Sequence, residues 1–215
     1  MEIAQSWDAR KVVGVDIDDG LIRAAWKRRR TVWSLQAPTQ ELDSERPVKR
    51  PRRTSTIANY FPASFEHSFG PLSIPPATPN TANKFPHNIA FFTSDWVHNP
   101  IPTDKDSYDV VLAFSISKWI HLNGGDDAII KIFNRVYTVL NHGGVFVLEP
   151  QAWETYGKAR KMDEKLRTNA KTLKLRPKDF EAKLQEIGFG PAKHLGVAGQ
   201  GGECPLLVVY HLDIN

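Results

Sequence analysis

Cysteine is nearly absent from this chain: Cys204 stands alone among 215 residues. An internal disulfide is therefore excluded, and so is a zinc site built on several thiolates, which suits a reducing compartment. Long apolar runs are missing too. The longest, such as Leu206–Tyr210, fall far short of the roughly 20 residues that cross a bilayer, so no membrane partner is expected. The opening residues, MEIAQSWDARK, lack the basic-then-apolar pattern of an export leader. No internal repeat is found, which sets solenoids and propellers aside. What remains, 41% hydrophobic and 24% charged, is the balance of a globular chain able to bury one sizeable core.

The charge is segregated. Residues 27–53 hold nine Lys/Arg against Glu41, Asp43 and Glu45, and residues 158–178 hold nine more against Asp163 and Glu164. Elsewhere acids outnumber bases 19 to 10. Two positive blocks on an otherwise acidic protein attract a polyanion, nucleic acid above all; two solvated basic surfaces are the plainer alternative. The cluster RPVKRPRR, Arg46–Arg53, reads as a nuclear import signal or an RNA-holding arm.

Along the chain, strands are predicted at Val12–Asp16, Asn88–Trp96, Tyr108–Ser117, Val145–Pro150, 192–197 and 206–212 from β-branched, unalternating runs. Helices are predicted over 20–30, capped by Asp18 or Asp19, over 126–140, over 152–171, and from Pro177 to a stop at Gly188. Residues 34–86 hold nine of the 15 prolines and read as a long loop or disordered insertion, with FPASF (Phe61–Phe65) as an anchoring island. The alternation predicts an α/β fold: a parallel or mostly parallel Rossmann-like sheet with helices on both faces, in one domain spanning 1–215. Such sheets bind ligands at the carboxyl ends of their strands. Those ends carry Asp16, Asp95, Phe114–Ser117 and Glu149–Gln151.

Asp16 closes the run KVVGVD. An ionised acceptor in that place binds a ribose diol more strongly than a neutral one. The signal suits S-adenosylmethionine (SAM) enzymes and nicotinamide or flavin enzymes alike. An acid that only supports the next helix is the structural alternative, though Asp18 is better placed to cap it.

Three segments break the tie: FSISKWIHLNGGDDAI (Phe114–Ile129), LEPQAWETYGK (Leu148–Lys158) and FPASF. Together they closely resemble the methylphosphate capping enzymes, the bicoid-interacting type of SAM-dependent RNA methyltransferases that act on small nuclear RNA. The resemblance runs from about Val12 to Tyr210 and implies methylation of the 5′-terminal phosphate of a small RNA. It places Asp16 and Ile17 beside the ribose of SAM, Asp95 and Trp96 beside the adenine, and Phe114 in the pocket wall. Lys118, His121, Tyr156 and Lys158 become the residues that position phosphate and RNA. The attacking phosphate oxygen is already an anion, so no general base and no metal are required. Trp119 and Trp153 are base-stacking candidates, with a core role as the plainer expectation. His142, His194, His211 and Cys204 are read as structural.

The resemblance also implies a strand and a glycine-rich loop before Val12, and none is found in MEIAQSWDARK. The sheet is thus expected to lack its first strand, with two edges left open. The alternative function is a catalytically inactive RNA-binding or ribonucleoprotein-assembly relative of the same fold. The expected address is nuclear, with a cytoplasmic pool also allowed, and the expected partners are an RNA 5′ end and ribonucleoprotein proteins around a monomer.

Overall fold

The computed structural model describes residues 1–7, 9–35, 63–197 and 206–212. RPVKRPRR and Cys204 lie outside them. The chain divides into two compact units, Met1–Ser94 and Asp95–Asn215.

In the first unit a short helix, α1 (Glu2–Ser6), precedes β1 (Val12–Asp16). α2 (Asp19–Ser34) follows because Asp18 caps it, accepting from the N–H groups of Gly20 at 2.7 Å and Leu21 at 3.2 Å. α3 (Ala63–Phe69) lies inside the proline-rich stretch expected to be loop. It is anchored: Thr31 donates to Glu66, and the Leu72 N–H donates to Ser34 Oγ at 2.7 Å. Phe61 and Pro62 of FPASF lie outside the described residues, while residues 63–87 hold more regular structure than their composition suggests. β2 (Ile89–Thr93) pairs parallel to β1. Gly14 sits opposite Phe91, where an added Cβ would fall 2.7 Å from the ring. The missing side chain lets Phe91 lie edge-on to Trp26, 5.2 Å between centroids.

The second unit is a four-stranded sheet with helices. β3 (Tyr108–Ala113) pairs parallel to β4 (Leu140–Leu148); β4 pairs antiparallel to β6 (Leu206–His211), and β6 antiparallel to β5 (Lys193–Val197). The order is β3-β4-β6-β5, so the sheet is mixed rather than mostly parallel. Among the described residues β1 and β2 each have one unpaired edge in the first unit, and β3 and β5 each have one in the second.

α4 (Ser117–Val139) is broken at Gly125, whose φ of 73° and ψ of −170° no L-residue adopts without strain; the part after the break is the helix predicted from 126, and the part before it was not predicted. The predicted basic helix is two, α5 (Trp153–Ala159) and α6 (Glu164–Thr172). Asp163 restarts the second by accepting from the Lys165 N–H at 2.7 Å. A 3₁₀ turn at Pro177–Asp179 leads into α7 (Phe180–Ile187), stopped at Gly188 as predicted. The core gathers Phe133, Phe146, Phe180, Phe189 and Tyr210, all buried, in edge-on and stacked ring contacts of 5.5–6.3 Å. Each such ring contributes roughly 1.5–3 kcal/mol of burial. They hold β4 and α4 firmly enough to fix the loops at the strand ends.

Candidate functional site

The carboxyl ends of β3 and β4 are knit together by one side chain. Gln151, just past β4, accepts through Oε1 from the Lys118 N–H at 2.8 Å and from Ser117 Oγ at 3.1 Å. Its Nε2 donates to the carbonyl of Ser115. Two otherwise orphaned groups at the start of α4 are thereby satisfied, since Ile116 offers no side-chain cap. Ser115 itself is held at φ 54°, and its Oγ donates to the buried carboxylate of Glu149 at 2.9 Å. A non-glycine residue in that region is strained; two hydrogen bonds from the opposite loop keep it there.

Lys118 is half-buried at this junction. Its ammonium donates to Thr155 Oγ1 at 3.4 Å and lies 5.3 Å from the centroid of Trp119, which is itself 37% exposed. No carboxylate neutralises Lys118 among the described residues. Phe114, half-exposed, adds an apolar surface beside the same loop.

The structure brings together His121 and Tyr156, two of the residues expected to position phosphate and RNA. Both are buried, and His121 Nδ1 accepts from the Tyr156 hydroxyl at 3.3 Å. Nε2 of His121 donates to Asp126 Oδ1 at 2.8 Å, and the Asp126 carboxylate accepts the N–H groups of Lys174 and Leu175. This chain of bonds ties α4, α5 and the segment after α6 together. Burial pushes the Tyr156 hydroxyl well above its ordinary pKa. The polar atoms of both side chains are thus engaged within the fold. Trp153 is packed, not free to stack: it lies 4.6 Å from Tyr156, with the Arg176 guanidinium 3.9 Å over its ring. Lys158 is exposed on α5, and Arg160 and Lys161 follow it, also exposed.

The turn after β2 forms a second centre. Asp95 accepts from the Val97 N–H at 3.1 Å and pairs with His98 at 2.8 Å. Burial alone would raise the Asp95 carboxyl; the His98 bond and charge, with backbone donors, outweigh it and hold the carboxyl below its usual range. Trp96 is half-buried, its indole N–H donating to Asp104 at 3.0 Å. Asp104 also accepts from Ile101 N–H at 2.9 Å and Tyr108 OH at 3.0 Å. Burial first, then Asp104, pushes Tyr108 up to about 12, against the Thr103 hydrogen bond.

In the first unit Asp16 is half-buried at the end of β1. Its Oδ1 accepts from the Asp18 N–H at 2.9 Å, while Oδ2 has no partner among the described residues. Ile17 beside it is 71% exposed. Asp18 caps α2, so Asp16 is not consumed by that task. Residue reading missed the roles of Gln151, Asp126 and Asp104. Gln151 was visible as a strand-end amide in EPQAW; the other two carry no motif.

Polar side chains gathered at the carboxyl ends of parallel strands define the class, an α/β domain with its site at the strand ends. Within that class, residues 108–209 match the family described as Bicoid-interacting protein 3 (Bin3). The chain is 35% identical over 200 residues to the 7SK snRNA methylphosphate capping enzyme of Homo sapiens, across 88% of this chain and 29% of that protein. It is 31% identical over 196 residues to a probable RNA methyltransferase of Arabidopsis thaliana, across 91% of this chain and 59% of that one. With the U6 snRNA methylphosphate capping enzyme Amus of Drosophila melanogaster the identity is 27% over 199 residues, 92% of this chain and 53% of the relative. The chain thus spans between about a third and three-fifths of the length of these relatives. The methylphosphate capping family that the motifs resemble is the family found.

Proposed function

We propose that this chain carries the catalytic domain of a SAM-dependent RNA methyltransferase acting on the 5′-terminal phosphate of a small RNA. The observation that carries the reading is the junction of the β3 and β4 ends, where Gln151 sets the start of α4 beneath an unneutralised Lys118, all within the segment that matches the Bin3 family. When bound, SAM supplies a methyl group activated on a positively charged sulfur. The acceptor oxygen of a phosphate is anionic, so the protein's task is alignment and charge compensation. Lys118 holds the terminal phosphate. His121 and Tyr156 act behind it as positioning residues, fixing α4 against α5. Lys158, with Arg160 and Lys161, follows the RNA backbone, and Trp119 offers a ring for a base.

The residues fit the cofactor chemically. Asp16 retains an unpartnered carboxylate oxygen suited to ribose hydroxyls, and the exposed Ile17 offers an apolar contact. Asp95 and Trp96 supply an acceptor and an aromatic face for adenine, and Phe114 supplies an exposed apolar wall. We also propose a nuclear protein, on the basic run Arg46–Arg53, that works as a monomer alongside ribonucleoprotein proteins.

Calorimetry with S-adenosylhomocysteine and transfer of a labelled methyl group to an RNA bearing a 5′-phosphate test the reading. Binding is expected, together with transfer that is abolished when phosphatase removes the RNA 5′-phosphate beforehand and with label that resists phosphatase afterwards, because the methylated phosphate is a diester. Absence of both binding and transfer overturns it.

A further inference from the structure

We propose that the groove between the turn at Val97–His98 and one face of α4 is a binding site for a phosphate group, separate from the β3–β4 junction. The groove has a volume of about 480 Å³ and is lined on the α4 side by Lys131, Asn134, Arg135 and Thr138.

Its cations are short of partners. Lys131 is exposed and makes no ion pair among the described residues, although Asp127 lies one helical turn before it. The Arg135 side chain is only 18% exposed, yet its one ionic contact is long: Nη1 to Asp104 Oδ2 at 3.5 Å. Asp104 is already occupied by Trp96, Ile101 and Tyr108. Arg135 Nε is buried with no acceptor among the described residues. A buried guanidinium N–H left unpaired is costly, and an oxyanion that accepts from Nε and a neighbouring Nη relieves that cost with geometry suited to the fork. His98 Nδ1 donates to Asp95, so the Nε2 of the neutral ring is an acceptor and adds no donor to the groove.

The remaining polar groups are spoken for. Asn134 Nδ2 donates to the Ile130 carbonyl and Thr138 Oγ1 to the Arg135 carbonyl, both at 2.8 Å. The free donors are thus Lys131 and Arg135, two cations one helical turn apart on α4. That suits a tetrahedral phosphate better than a planar carboxylate, which one fork alone would satisfy. The same chemistry is offered by a phosphodiester of a polynucleotide backbone and by free phosphate. The proposal does not depend on the methyltransferase reading.

The test is an NMR titration of the whole chain with inorganic phosphate at constant ionic strength, following the Arg135 Nε–H resonance, beside RNA binding measured across a salt series. Wild type, Lys131→Glu and Arg135→Lys are compared, with melting curves for all three. Lys131→Glu alters an exposed residue, so it keeps the test open if Arg135→Lys does not fold. The expected result is a saturable shift of the Arg135 signal, with phosphate affinity at least tenfold weaker in Lys131→Glu. If RNA binding also weakens and its salt slope falls by roughly 0.7–0.9, the phosphate is that of a polynucleotide backbone. If only phosphate binding falls, the site takes a free phosphate. No shift at Arg135 together with unchanged RNA binding in Lys131→Glu overturns the proposal.

Discussion

Nε2 of the buried His121 donates to Asp126 Oδ1 at 2.8 Å, and that bond fixes the tautomer of a residue the family motif presents as functional. Desolvation lowers the His121 pKa below its ordinary 6.5, outweighing Asp126, and the charge of Arg176 acts in the same direction as burial. The folded imidazole is therefore neutral. As pH falls below about 6.5 the unfolded chain takes up the proton first, so this group's stabilisation is full above that pH and is lost on the way down to the folded pKa. Asp126, whose carboxyl is held below its ordinary 3.8, acts only at lower pH. The urea midpoint of the wild type is expected to drop between pH 7.5 and 5.5. His121→Asn starts less stable, by about 1–3 kcal/mol, with a shallower drop over the same range. Parallel pH profiles for the two proteins would sink this account.

Asp104 is the acceptor on which the turn after β2 depends. Asp104→Ala leaves Trp96, Tyr108 and Arg135 without their shared partner, two of them half-buried and one nearly buried. A loss of about 3–5 kcal/mol is expected in denaturant titrations, as for a broken buried ion pair. In Asp104→Asn, if it folds, the Tyr108 hydroxyl is expected to titrate below about 12, read by absorbance near 295 nm, because a charge that raises it is gone.

Gly125→Ala tests the break in α4. The site has open space around it, so the cost is conformational only. A destabilisation of roughly 1–3 kcal/mol is expected from the backbone angles alone. A neutral result would mean the helix runs straight through in solution.

Gln151→Glu keeps the acceptor for Lys118 N–H and loses the donor to Ser115. Under the proposed function, methyl transfer should fall through kcat more than through KM, because the phosphate cation is misplaced rather than removed. Gln151→Ala should fall further. Lys118→Met removes the cation outright, with an expected loss of roughly 10²–10³ in kcat/KM, partly restored in Lys118→Arg. Full activity in Lys118→Met would show that the phosphate is held elsewhere.

Local chemistry was legible in the sequence where one stretch of chain decides the outcome. Asp18 caps α2, Gly188 stops α7, and the β-branched runs pair as strands. The family motifs were legible too, and with them the segment 108–209. What escaped were contacts between stretches far apart. His121 looks like a ligand in SKWIHLN, but its burial depends on Tyr156, 35 residues later, and Phe180. The basic helix read as one because its charges are continuous; the cap at Asp163 divides it. The order within residues 63–87 escaped because prolines and serines suggest a loop, while Glu66 and Leu72 are tied back to Thr31 and Ser34.

The Gln151 amide spans 36 residues to reach the Ser115 carbonyl. That distance sets an order of assembly. As the chain emerges from the ribosome, β3 and the beginning of α4 appear well before the side chain that gives their junction its shape. Ser115 has no reason to hold its left-handed backbone until Glu149 and Gln151 arrive. A nascent chain stalled short of residue 151 would keep the strand sequence but have no formed mouth, and the cation on Lys118 would be unaimed until β4 is in place.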